Sequence, residues 1–90
     1  MREIRLFPEV GDSSVLWEAH GIDINPSAAD LGLSVSLAAA LADWYEFWRE
    51  HADPFLGWDS PASEHDFLKT GELLREAVQI ELGGDFVVSR

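Results

Sequence analysis

No cysteine occurs in the 90 residues, which excludes a disulfide framework and any thiolate-ligated metal centre. Such a composition suits a reducing compartment, and the cytoplasm is the expected location. Basic side chains are nearly as scarce. Six Lys and Arg stand against seventeen Asp and Glu, a formal charge of −11 at pH 7. Binding a phosphate backbone requires cations that displace counterions, so direct nucleic-acid binding is not expected. An anionic membrane repels the chain for the same reason. Long apolar runs are missing too. The stretch SLAAALADW (36–44) is far shorter than the roughly 20 residues a bilayer crossing requires. MREIRLFPEVGDSSV lacks the apolar core of a secretory signal.

What is present points to a packed globule. An apolar content of 47% with four Trp argues against disorder. Ninety residues allow one domain, 1–90, burying roughly 60–65% of its unfolded surface. The acidity has two readings, a solubilising surface or a field that steers a basic protein partner.

Residues 2–7 (REIRLF) alternate, with Ile4 and Leu6 on one face and Glu3, Arg5 and Phe7 on the other, the signature of a half-buried strand. PEVGDSS is turn chemistry, VLWE (15–18) a second short strand, and Ile22 and Ile24 extend an irregular alternation. INPSAADLG reads as one helical turn with Asn25 as cap, Pro26 at the first position and Gly32 as stop. Ser34 caps a long helix over about 35–52, with Leu33 and Ala38 as a hydrophobic staple. Leu37, Leu41, Trp44 and Trp48 fall on its core stripe, Tyr45 and Phe47 flank it, and Asp43, Glu46 and Glu50 share the far face. Asp53-Pro54 ends that helix. Ser60-Pro61 opens a second, 61–82, closed by Gly83-Gly84. Its main stripe is Phe67, Leu74 and Val78 beside Gly71, a site for close helix contact. A second strip of Leu73, Ala77 and Ile80 implies another neighbour. DFVVSR (85–90) is a closing strand.

The order β-β-α-α-β implies an α+β, two-layer domain. A three-stranded mixed sheet of order 2-1-3 is covered on one face by a helical hairpin. The other face would expose Phe7, Val87 and Leu16 beside Glu3 and Arg5. Two open edges would invite strand addition or a homodimer.

Six of the ten aromatic residues lie in DWYEFWREHADPFLGWD (43–59). Trp44 and Trp48 belong to the core by periodicity. Phe55 and Trp58, in the loop, either fold back over the helices or form an exposed patch rimmed by acids. No histidine pair has i,i+4 spacing and no calcium loop occurs, so neither a metal nor another cofactor is expected. His65 sits among Glu72 and Glu76 on a polar helix face. No nucleophile elbow presents a serine, and Ser34 and Ser60 are accounted for as caps; enzymatic activity is not expected. The acidic series Asp43, Glu46, Glu50 and Asp53, offset locally only by Arg49, is either a solvated face or a docking stripe for Arg and Lys.

The stretches LWEAHGIDINPSAADLGLSVSLAAALADW (16–44) and GWDSPASEHDFLKTGELLREAVQIELG (57–83), followed by FVV, resemble a group of short, acidic, uncharacterised bacterial proteins, mostly actinobacterial. N-P stands here where that pattern has D-P, and Val35 where proline is frequent. The resemblance implies the β-β-α-α-β fold and carries no site residues. Three functions follow in order of preference. The first is a non-enzymatic interaction module, in its most concrete form an immunity protein or inhibitor masking a basic partner. The second is a homo-oligomeric accessory protein, and the third a small hydrolase or metal-dependent enzyme. The candidate partner-binding residues are Asp43, Glu46, Glu50, Asp53, Phe55 and Trp58.

Overall fold

The computed structural model describes residues 2–19 and 24–90. Within them the chain runs β1 (Arg2–Leu6), β2 (Leu16–Ala19), α1 (Val35–His51), β3 (Ala52–Asp53), β4 (Gly57–Trp58), α2 (Pro61–Leu82) and β5 (Phe86–Ser89). The sheet order is β2-β1-β5, with β1 antiparallel to β2 and parallel to β5. This is the expected α+β architecture. The alternation of β1 turns Ile4 and Leu6 inward, where they meet Leu16, Val88 and the helix residues Leu37, Leu41, Trp44, Phe67, Leu74 and Val78. Fully burying each such aliphatic side chain contributes about 1.5–3 kcal/mol.

Both helix starts behave as their sequences require. The Ser34 hydroxyl accepts from the Leu37 N–H at 3.2 Å, and that of Ser60 from the Ser63 N–H at 3.1 Å, each satisfying an orphan donor of the first turn. The Ser34 backbone N–H and hydroxyl also donate to the two Glu81 carboxylate oxygens, both at 2.7 Å. The last turn of α2 thereby ties down the first turn of α1.

Several expectations are corrected. Asn25 does not cap the turn before α1. Its amide donates to the Leu16 carbonyl at 2.8 Å, while Ser27 and Asp30 exchange reciprocal backbone–side-chain bonds, both at 3.0 Å, a capping box on a single turn. Leu16 is buried, and Trp17 occupies the outer sheet face instead, because Leu16 pairs with the inward Leu6 and Trp17 with the outward Arg5. There Trp17 stacks on Phe7 at 4.9 Å, and its indole N–H donates to the Phe7 carbonyl at 2.9 Å. Tyr45, on the flank of the stripe, is buried, whereas Trp48, on the stripe, is only half-buried. Of the second strip of α2, Ala77 packs against the core while Leu73 and Ile80 are exposed. Ile24 is exposed as well, and Ile22 lies outside the described residues.

The sheet edges are also less open than the strand count implies. On β5, Gln79 donates to the Phe86 carbonyl at 2.9 Å and accepts from the Val88 N–H at 3.0 Å. Arg75 reaches the Val88 carbonyl at 3.3 Å. On β2, the Glu18 N–H donates to the Ile24 carbonyl at 3.0 Å, and Asn25 caps Leu16. Side chains and loop backbone thus occupy groups that an added strand would need. Dimerisation by either edge would require breaking these bonds, which leaves the outer face as the less obstructed route.

Candidate functional site

The connection between the helices is the most exposed apolar feature of the fold. Pro54 cannot extend α1, and the chain instead forms a short hairpin in which Ala52 pairs with Trp58 and Asp53 with Gly57. Gly57 takes a φ of +81°, the left-handed value that closes such turns and that other residues adopt only with strain. The Asp53 carboxylate accepts from the Phe55 and Leu56 N–H groups at 2.7 and 2.9 Å. This bond pattern holds the turn and points two large apolar side chains outward, Phe55 at 93% and Leu56 at 87% exposure.

The two loop aromatics therefore divide. Trp58 folds back, half-buried, with its ring 5.0 Å from Phe67, which stacks on Trp44 at 4.5 Å. Phe55 stays in solvent. Trp58 anchors the hairpin to the core, so the Phe55–Leu56 tip sits on a braced support. The sequence reading missed Leu56; an FL pair inside a polar loop was the available signal. It also missed Val10, which lines a shallow cleft with Tyr45, Trp48 and Pro54 at the base of the hairpin.

Asp43, Glu46 and Glu50 are all exposed on α1. Glu46 pairs with Arg49 at 3.1 Å, whereas Asp43 and Glu50 make no hydrogen bond or ion pair with any described residue. Exposed pairs such as Glu46–Arg49 contribute about 0–1 kcal/mol, so this stripe is poor in internal stabilisation and rich in unneutralised charge. Asp53 belongs to the stripe in sequence, but its carboxylate is engaged in the turn.

His51, Asp59, Ser60 and Ser63 form a polar cluster where the end of α1 meets the start of α2. His51 Nδ1 lies 2.7 Å from Asp59 Oδ2 and 3.4 Å from Ser63 Oγ. A hydrolytic triad requires the acid and the serine on opposite ring nitrogens; here both approach the same one. The Ser63 hydroxyl also accepts from Ser60 at 3.0 Å, so the group serves the start of α2. The bond from His51, reinforced by Ser63, holds the Asp59 carboxyl below its usual range. Among the described residues no three or more His, Asp or Glu converge as metal ligands, and no helix is long and apolar enough to cross a membrane.

Glu18 was not foreseen as special. It pairs with Ile4 across the β1–β2 ladder and so faces the helices, with 8% of it exposed. Arg2 forks onto it with bonds of 2.8 and 2.6 Å and lies over the Phe86 ring at 4.7 Å. The Arg2 hydrogen bond lowers the Glu18 pKa below the ordinary 4.5, against the upward push of burial. A lowered native pKa stabilises the fold above pH 4.5, and that contribution disappears as pH falls through the native value. In Arg2→Met the sign reverses: the unpaired, buried carboxyl is pushed upward and penalises folding at neutral pH. Urea unfolding of both proteins should show their stability difference widest near pH 7 and shrinking as pH falls through 4.5, from the variant's raised carboxyl pKa to the lowered one of the unaltered protein. A difference independent of pH would show that the ion pair is not its source.

No curated protein matches the chain. A family model described as Serratia CdiI immunity protein-like matches residues 2–89. That span takes in every strand and helix above, and it supplies the functional class that the resemblance to uncharacterised bacterial proteins lacked: the chain belongs to the Serratia CdiI immunity protein-like family.

Proposed function

We propose that this protein binds and neutralises a basic protein toxin in the cytoplasm, without catalysis, through the acidic face of α1 and the hairpin tip beyond it. The carrying observation is the Phe55–Leu56 pair, held outward by Asp53 and braced by Trp58. Exposed neighbouring apolar side chains lower solubility unless a partner covers them. A large apolar anchor with a charged rim is also the usual anatomy of a specific protein interface. Asp43 and Glu50, on the adjacent helix and without a partner among the described residues, supply the negative charge. The −11 charge raises the encounter rate with a cationic partner and opposes binding to nucleic acid. Membership of an immunity-protein-like family supports a proteinaceous partner; the basic character of that partner rests on the charge argument.

The test is capture of partners from native lysate at low and high salt, followed by binding measurements on the captured protein. A single basic protein released by salt is the expected result. Neutralising Asp43→Asn, Glu46→Gln and Glu50→Gln together should weaken its binding and flatten the salt dependence. Unchanged affinity in the triple variant would remove the acidic stripe from the interface. The second reading, a homodimer through the outer face, has the half-exposed Val87 and the stacked Phe7–Trp17 pair in its favour. It would be preferred if only the protein itself were recovered and Val87→Asp dissociated an oligomer.

A further inference from the structure

Between α1 and α2 runs a groove whose walls come from the two helices alone. One end is a slot of about 320 Å³ with a floor of Ala40, Trp44, Phe47 and Leu74, bordered by Asp43 from α1 and Asp66 from α2. Past Ala40, Thr70 and Leu74 the groove continues over Leu37, Leu73 and Ala77 as far as Glu81. Every charged residue along its length is acidic. Glu81 is engaged by Ser34, but Asp43 and Asp66 have no hydrogen-bond or ion-pair partner among the described residues.

This arrangement is an apolar floor between two free carboxylates carried by different helices. We infer that the slot receives an arginine side chain from the partner protein, with its guanidinium between Asp43 and Asp66 and its stem on Ala40 and Phe47. The chemistry selects arginine over lysine. A planar fork of donors can serve two carboxylates at once and lie flat on an aromatic surface, whereas an ammonium is a compact, strongly hydrated point charge. The methylene stem also tolerates an apolar wall that a smaller cation would leave uncovered. The groove beyond the slot explains why the arginine belongs to a polypeptide. Leu73 is exposed and borders an apolar lane, which suits the residues next to that arginine. Leu73, exposed in the isolated protein, is thus covered by the partner.

The inference rests on the partner-binding reading above, and its test needs no partner. The full-length ¹⁵N-labelled protein is titrated at constant ionic strength with the capped peptides Gly-Arg-Gly and Gly-Lys-Gly. The arginine peptide should produce saturable shifts confined to the slot residues Asp43, Phe47, Asp66 and Thr70. Asp43→Asn and Asp66→Asn should each weaken it by roughly tenfold, as expected for loss of a charge-assisted hydrogen bond. Both positions are exposed, and the unperturbed remainder of each spectrum will confirm that the variants are folded. Absent shifts, shifts spread over the whole acidic surface, unchanged affinity in both variants, or equal binding of the lysine peptide would each overturn the assignment. A basic protein captured from lysate alongside a silent arginine titration would sink the slot and leave the immunity reading standing.

Discussion

Replacing Trp44 by alanine should cost the fold about 3–5 kcal/mol and lower its melting temperature on the order of 20 °C. Single domains are stable by about 5–15 kcal/mol, so the variant will lie close to the unfolding threshold. Trp44 is 3% exposed, stacks on Phe67 with the rings 10° apart, and donates its indole N–H to the Phe67 carbonyl at 3.1 Å. It joins the two helices by packing and by a hydrogen bond together. The close approach depends on Gly71, where an added Cβ would stand 2.8 Å from Trp44 Cζ2.

A sharper form of the same prediction uses that contact. Alanine in place of an interior helical glycine normally gains about 1 kcal/mol. Here Gly71→Ala must push against a rigid ring, and overpacking costs about 1–3 kcal/mol, so the substitution should destabilise. With Trp44→Ala already present the obstruction is gone, and Gly71→Ala should become stabilising. Urea unfolding of the four proteins reads this change of sign directly. A stabilising Gly71→Ala in the otherwise unaltered protein would mean that the helices separate easily and that the contact is not a constraint.

The second large effect concerns binding alone. Phe55→Ala with Leu56→Ala should leave stability within about ±0.5 kcal/mol, because both side chains are in solvent. Affinity for the captured partner should fall by about 2–4 kcal/mol, roughly 30- to 1000-fold. The loss should fall mainly on the dissociation rate, since apolar anchors hold a complex after charge has guided its formation. Titration calorimetry and chemical denaturation on one preparation separate the two quantities. An unaltered affinity would place the interface elsewhere on the surface. A large loss of stability would show that the tip packs on the body after all.

The order and bounds of the main elements could be read from the sequence because each rests on neighbouring residues. Ser34 and Ser60 cap, Pro61 begins α2, Asp53-Pro54 prevents α1 from continuing, and the 3.6-residue stripe names most of the core. The errors lie where a single residue of register matters. Pairing with β1 puts Trp17 and not Leu16 on the outer face, and the short apolar run VLW carries no alternation that could select between them. The roles of the candidate residues were less legible still. Asp43, Glu46 and Glu50 were visible as a helical face, but which of them Arg49 neutralises depends on side-chain geometry. Phe55 and Trp58 have similar chemistry and opposite fates, separated by a hairpin only two pairs long.

By itself the sequence determined the absence of thiol chemistry, the acidic surface, the helix limits and the β-β-α-α-β order. These follow from composition and from interactions spanning a few positions. Only the tertiary structure decided that Glu18 is buried under Arg2, that Gln79 and Asn25 occupy the sheet edges, and that Asp43 and Asp66 line one slot between the helices. Each of these contacts joins residues brought together by the packing of separate elements. Their pairing follows from how helices and strands settle against one another, which no local pattern encodes.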